Sequence, residues 1–170
     1  MADAELRALA ERLQGLCLGR RLTVAVAESC TGGLVAAALT EIAGSSGYFL
    51  GGVVSYSNAA KVGLLDVPEA TLAAHGAVSA QVARAMAAGA RARFGATIAA
   101  SVTGIAGPDG GTAEKPVGLT YVGLAGEGRA DVHRAVWGGD RESNRRESAV
   151  ELLRLLVAWA EATPPGGVQE

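Results

Sequence analysis

The chain has 170 residues, room for one domain of ordinary size around a single core. Of these 49% are hydrophobic but only 4% aromatic, so the core has to be built from Ala, Val and Leu. A net charge of −2 with no block of Lys or Arg excludes a basic field for nucleic acid. The two cysteines supply neither a metal-ligand spacing nor a disulfide framework.

Asp3 caps a first helix in which Leu6, Leu9, Leu13 and Leu16 keep helical spacing and which Gly19 closes. Its opening, "MADAELRALAERLQ", is charged throughout, which argues against a secretory signal. No apolar run reaches membrane length, so a cytoplasmic protein without a membrane partner is expected. "LTVAVA" (22–27), short and apolar, reads as a buried strand. Thr31 or Gly32 then starts a helix that Gly44 ends. "GGVVSYS" is a second strand, and "NAAKVGLL" a short helix after it. Pro68 and Glu69 begin another short helix that stops at Gly76.

Ser79 caps a long helix with Val82, Met86, Ala90 and Phe94 on one face and Gly95 just past its end. "TIAASVTG" is a third strand, and the loop "GIAGPDGGTAEKPVG" leads into "LTYVGLA". "GEGR" then turns the chain as a hairpin into "ADVHRAVW". Asp140 or a neighbour caps the final helix, which carries Leu152, Leu153, Leu156 and Trp159. Helices between the early strands imply parallel crossovers, and the last hairpin adds an antiparallel pair. The expected fold is α/β: a three-layer α/β/α sandwich on a mixed, mostly parallel sheet. Residues 1–162 form the single domain and 163–170 a flexible tail.

In an open α/β sheet ligands gather at the carboxyl ends of strands, where three loops qualify: Glu28–Gly33, Ser55–Lys61 and Thr103–Gly111. Ser29 stands where a strand becomes a helix. It can serve as an N-cap, or as a nucleophile whose oxyanion meets the N–H groups of Thr31, Gly32 and Gly33. The two glycines also let a substrate approach the backbone closely. A serine hydroxyl needs a base, and a neutral Lys61 amine on the next loop can supply one, with Tyr56 beside it. His75 and His133 are less well placed. Cys30, the rival nucleophile, reads more simply as a small buried thiol.

"TGIAGPDGG" can cradle a phosphate on backbone N–H groups, with Gly104 and Gly107 exposing the chain and Thr103 adding a hydroxyl. It matches neither a P-loop nor a dinucleotide fingerprint. Arg141 and Arg145, four apart on the first turn of the last helix, oppose the helix dipole and call for an anion nearby. No metal-ligating cluster is present.

Taken together, "AESCTGGLVAAALTEIAGSSGYFLGGVVSYSNAAKVGLL", "HGAVS", "SVTGIAGPDGGTAEKPVGLTYVGLA" and "GDRESNR" resemble the stand-alone nicotinamide-nucleotide amidases. Those enzymes are similar to the C-terminal domain of the competence/damage-inducible protein CinA. The resemblance covers essentially the whole chain. It implies hydrolysis of the carboxamide of nicotinamide mononucleotide to nicotinic acid mononucleotide and ammonia, with no metal or cofactor, in a homodimer. By the same resemblance Ser29 is the nucleophile, Tyr56 and Lys61 are catalytic with Lys61 as base, and Arg145 helps to stabilise the oxyanion. Two other readings accommodate the same residues. One is a non-catalytic nucleotide-binding or regulatory module. The other is a serine hydrolase of another amide, because "YSN" is similar to the Tyr-x-Asn element of penicillin-recognising enzymes. Their Ser-x-x-Lys is missing here, since Gly32 stands three after Ser29.

Overall fold

The computed structural model describes residues 3–166. Six α-helices and five strands follow in the order α1 (Ala4–Arg20), β1 (Val24–Glu28), α2 (Leu34–Thr40), β2 (Phe49–Val54), α3 (Asn58–Leu65), α4 (Glu69–His75), α5 (Ala80–Phe94), β3 (Ile98–Gly104), β4 (Leu119–Gly126), β5 (Arg129–Val136) and α6 (Arg141–Ala162). The strands form one sheet in the order β2-β1-β3-β4-β5. β1 runs parallel to β2 and β3, while β4 is antiparallel to both β3 and β5, so four of the five strands point the same way.

The alternation of β1 divides the core between the two faces of the sheet. Val24 and Val26 join α1, α2 and α6 on one side, where Leu13, Leu39, Leu153 and Leu156 are buried. Ala25 and Ala27 face α3 to α5, among Leu65, Val82 and Met86. The second layer lies unusually close to the sheet. A Cβ at Gly123 of β4 would stand 2.3 Å from the Ala83 carbonyl of α5, which also accepts the Ser101 hydroxyl of β3 at 2.6 Å. Small residues on both surfaces make that approach possible. The expected three-layer sandwich is what the chain forms.

The helix signals hold best where a side-chain cap is made. Ser79 accepts from the Val82 N–H and Gly95 closes α5 in a left-handed conformation; Ser57 accepts from Ala60 to start α3; Asp140 accepts from Ser143 to start α6. Three helix boundaries differ from expectation, and β2 runs over Phe49–Val54 rather than over 51–57. α1 runs through Gly19 to Arg20 and is closed by Arg21 in a left-handed conformation, its N–H reaching Cys17 and Leu18 carbonyls. Burial of Cys17 holds that last turn on the core, and one glycine inside a helix costs only about 1 kcal/mol. α2 starts at Leu34 rather than at Thr31 or Gly32 and ends at Thr40, because Gly32 and Gly33 sit at φ of 62° and 101° and keep residues 29–33 as a turn.

At the carboxyl end, Arg20 donates to the Thr163 carbonyl and Gly166 donates to the Arg20 carbonyl. The rest of the expected tail, 167–170, lies outside the described residues. No helix among the described residues is long and apolar enough to cross a membrane.

This topology decides where a ligand can enter. The chain leaves β1 toward α2 on one face of the sheet and leaves the adjacent β2 toward α3 on the other. Departures to opposite faces open a crevice between the two strand ends.

Candidate active site

The crevice holds Ser29 and Lys61. Ser29 follows β1 directly, its N–H donating to the Val102 carbonyl at 3.0 Å, so its backbone still belongs to the sheet. Ser55 follows β2 and is pinned likewise, through its N–H to the Glu28 carbonyl at 2.8 Å. α3 then turns Lys61 back into the gap, and its side chain, only 1% exposed, ends between the two strand termini.

Lys61 Nζ lies 3.0 Å from Ser29 Oγ, 2.8 Å from the Ser55 carbonyl and 3.3 Å from the Tyr56 carbonyl. Among the described residues no carboxylate forms an ion pair with it. Burial therefore holds its pKa below the ordinary lysine value, opposed only by a smaller effect from Cys30. An ammonium donates to all three oxygens, and a neutral amine to two of them. In the neutral form the two N–H bonds are directed to the two carbonyls, leaving the lone pair for the Ser29 hydroxyl proton.

Cys30, the neighbour of Ser29, lines the same cavity and is buried to the same degree. It is buried beside Gly104, where an added Cβ would meet its Sγ at 3.2 Å. Burial pushes its thiol up to about 11, so it is held in the unreactive protonated form.

The walls of the site come from the other two loops. Ser29, Lys61, Tyr56, Thr103, Gly104, Gly107 and Arg141 line a cavity of about 290 Å³, with Asp109 also on its wall. Thr103 donates its hydroxyl to the Ala77 carbonyl at 2.8 Å, which fixes the 77–78 segment as one wall. Arg141 spans the mouth, one nitrogen on the Gly107 carbonyl at 2.9 Å and the other on the Tyr56 hydroxyl at 3.2 Å. Tyr56 is thus split between two roles. Its carbonyl touches Lys61, while its ring is 61% exposed and its hydroxyl belongs to Arg141 rather than to the lysine.

Thr31, Gly32 and Gly33 lie behind the cavity, in the turn that carries Ser29, and Arg145 reaches that turn from α6. Gly32 donates to the Ser29 carbonyl and Gly33 to Glu28, so of these three N–H groups only that of Thr31 has no acceptor among the described residues. The N-terminal N–H groups of α2 are taken as well, Val35 and Ala36 both donating to Glu28. This helix end is therefore closed to an anion. Arg145 binds two main-chain carbonyls, Cys30 at 3.1 Å and Thr31 at 2.9 Å.

Two supporting residues escaped the sequence reading. Glu28 is buried at the end of β1, and its only signal was a charge ending an apolar strand. Asn144, buried between the two expected arginines, donates to the Ala106 and Gly139 carbonyls at 3.0 Å and accepts from the Gly139 N–H at 3.1 Å. It ties the 104–110 loop to α6. Among the described residues no group of three or more His, Cys, Asp or Glu could hold a metal ion.

Fold and site together define an α/β/α sandwich with a buried serine–lysine pair where its parallel strands end. The chain belongs to the CinA C-terminal domain family, which matches residues 6–159. It is 52% identical over 160 residues to a CinA-like protein of Citrifermentans bemidjiense, a match covering 92% of this chain and 39% of that protein. With a CinA-like protein of Chlorobaculum tepidum it shares 55% identity over 90% of this chain and 38% of the other. The chain thus spans about two-fifths of the length of these curated relatives. Among solved structures, the competence/damage inducible protein CihA from Agrobacterium tumefaciens superposes with a TM-score of 0.90 at 43% identity, covering 93% of this chain and 97% of that one. A CinA-superfamily protein from Klebsiella pneumoniae superposes with a TM-score of 0.89 at 32% identity, over 93% and 99% of the two chains.

Proposed function

We propose that the protein hydrolyses the carboxamide of nicotinamide mononucleotide to nicotinic acid mononucleotide and ammonia. The observation that carries the chemistry is Lys61 Nζ, buried without a carboxylate partner, 3.0 Å from the Ser29 hydroxyl. The choice of substrate rests on the resemblance to nicotinamide-nucleotide amidases, and the 290 Å³ cavity with Arg141 at its mouth is in keeping with a mononucleotide.

Ser29 Oγ attacks the amide carbon and Lys61 takes its proton. The tetrahedral species collapses by breaking the carbon–nitrogen bond, and the Lys61 ammonium returns the proton to the departing ammonia. Lys61 then takes a proton from water as it attacks the acyl ester. Collapse of the second tetrahedral species frees the carboxylate and restores the Ser29 hydroxyl.

The test is ammonia release from nicotinamide mononucleotide, with nicotinic acid mononucleotide measured in parallel. Equimolar formation of the two, abolished by Ser29→Ala, supports the assignment. Hydrolysis of other carboxamides with none of the nucleotide would keep the serine–lysine chemistry and reject the substrate.

A further inference from the structure

Glu28 ends β1 one residue before Ser29, is only 1% exposed, and has no part in the proton transfers above. Its Oε2 accepts from the Thr31 hydroxyl at 2.6 Å, the Gly33 N–H at 3.0 Å and the Val35 N–H at 3.1 Å. Its Oε1 accepts from the Ala36 N–H at 2.8 Å. All four partners are donors, a set that a carboxylate satisfies and a protonated acid does not. A negative charge is also favourable at the N-terminus of α2.

The opposite side of the same turn is held by a cation. Arg145 donates from Nε to the Cys30 carbonyl and from Nη2 to the Thr31 carbonyl. A trans peptide is planar, with its N–H pointing away from its C=O. Holding the Cys30 and Thr31 carbonyls against Arg145 therefore fixes the orientation of the 30–31 and 31–32 peptide planes. Holding the Thr31 hydroxyl and the Gly33 N–H on Glu28 stops the turn from rotating back.

We infer that Glu28 and Arg145 are a pair of positioning residues that lock the Ser29–Gly33 turn from its donor side and its acceptor side, and so hold the Ser29 hydroxyl against Lys61. This assignment rests on the acyl-transfer reading of the site. It gives Arg145 a different part from the one the resemblance implies: the guanidinium acts through the Cys30 and Thr31 carbonyls rather than by touching the oxyanion. It also explains why the acid stands at position 28, since a carboxylate there takes up the α2 N–H groups that would otherwise compete for an anion.

The experiment compares Glu28→Gln, Arg145→Met, Thr31→Ser and Thr31→Val with the wild type. Two readouts are used: kcat and KM on nicotinamide mononucleotide, and the rate at which a fluorophosphonate labels Ser29. Glu28→Gln and Arg145→Met should each lower kcat of the folded enzyme roughly a hundredfold, the scale of a small misplacement of a reacting group, with KM changed by less than about threefold. An acid limb in kcat/KM set by Lys61 should stay where it is, and Thr31→Ser, which keeps the hydroxyl on Glu28, should lose less turnover than Thr31→Val. If Glu28→Gln does not fold, Thr31→Val removes one arm of the same lock and should lower kcat about tenfold. Labelling separates this inference from the choice of substrate. A wild type that labels but does not turn over the nucleotide rejects the substrate alone, and slower labelling of the Glu28 variant still supports the lock. Equal kcat and equal labelling in folded Glu28→Gln and wild-type protein would overturn it.

Discussion

Lys61 sets the chemistry through an amine whose charged form burial disfavours. With its folded pKa below the unfolded value of about 10.4, the unfolded chain binds a proton that the folded chain lacks between those two values. Stability therefore rises with pH across that interval and is lowest where the buried amine would have to be protonated. Lys61→Met should consequently be more stable than wild type at neutral pH, with the difference shrinking toward pH 10, as measured by denaturant unfolding at a series of pH values. The same variant should lose about a thousandfold or more in kcat, as when a member of a nucleophile–base pair is deleted. In the wild type, kcat/KM should fall on the acid side with an apparent pKa below that of free lysine. Cys30→Ala should keep most of the activity, because a thiol with a pKa of about 11 supplies almost no thiolate at neutral pH. Loss of activity in the Cys30 variant with retention in Ser29→Ala would reverse the assignment.

At the scale of elements, the site depends on how two helix starts are tied to three strand ends. α3 carries Lys61 under its own Ser57 cap, and α6 carries Arg141, Asn144 and Arg145 under Asp140. Removing the Asn144 amide leaves the buried Ala106 carbonyl without its partner, at a cost of about 1–3 kcal/mol, and frees the exposed Gly139. Asn144→Ala should therefore lower Tm by several degrees, by the usual relation of about 2–4 °C per kcal/mol for a domain of this size. It should also raise KM for the nucleotide more than it lowers kcat, because the loop it fastens lines the cavity and lies away from the Ser29–Lys61 pair. An unchanged KM would place the phosphate away from that loop.

These elements also show what could be read from the chain alone. α3 and α5 were legible because cap, periodicity and closing glycine agree, and Ser29 and Lys61 were legible because strand-end loops converge in this kind of sheet. The start of α2 was hidden, since a carboxylate five residues before Gly33 and an arginine more than a hundred residues later hold the turn. Tyr56 was expected to stand beside the lysine and act with it. Only the folded chain shows that its backbone meets the lysine while its ring turns outward to Arg141. Glu28 and Asn144 were missed for a related reason: a buried polar residue is known by its partners, and those are distant in sequence.

Across the whole molecule, the layer beneath the active-site turn is closed by ion pairs between α1 and α6. Arg146 pairs with Asp3, Glu5 and Glu147, and Arg154 with Glu5. Arg146 holds the Asp3 carboxyl below its ordinary range, and Arg146 followed by Arg154 does the same for Glu5. Depressed carboxylate values contribute stability above the unfolded pKa of about 4, and that contribution is lost as pH falls through the lowered folded values. Arg146→Ala should therefore melt below wild type at neutral pH, and the two curves should converge in acid. Salt should narrow the gap, since these groups are partly exposed. A gap that persists unchanged at pH 2 would mean that Arg146 acts through packing alone.

The central claim is that the Ser29 hydroxyl, activated by a neutral Lys61, forms a covalent bond to the substrate carbonyl. Acid quenching during turnover of nicotinamide mononucleotide, followed by intact-mass analysis and peptide mapping, tests it directly. An ester adduct with the mass of the nucleotide less ammonia, mapping to Ser29 and missing from Ser29→Ala and Lys61→Met, is the predicted result. An adduct on Cys30, or full turnover by the Ser29→Ala protein, would contradict it.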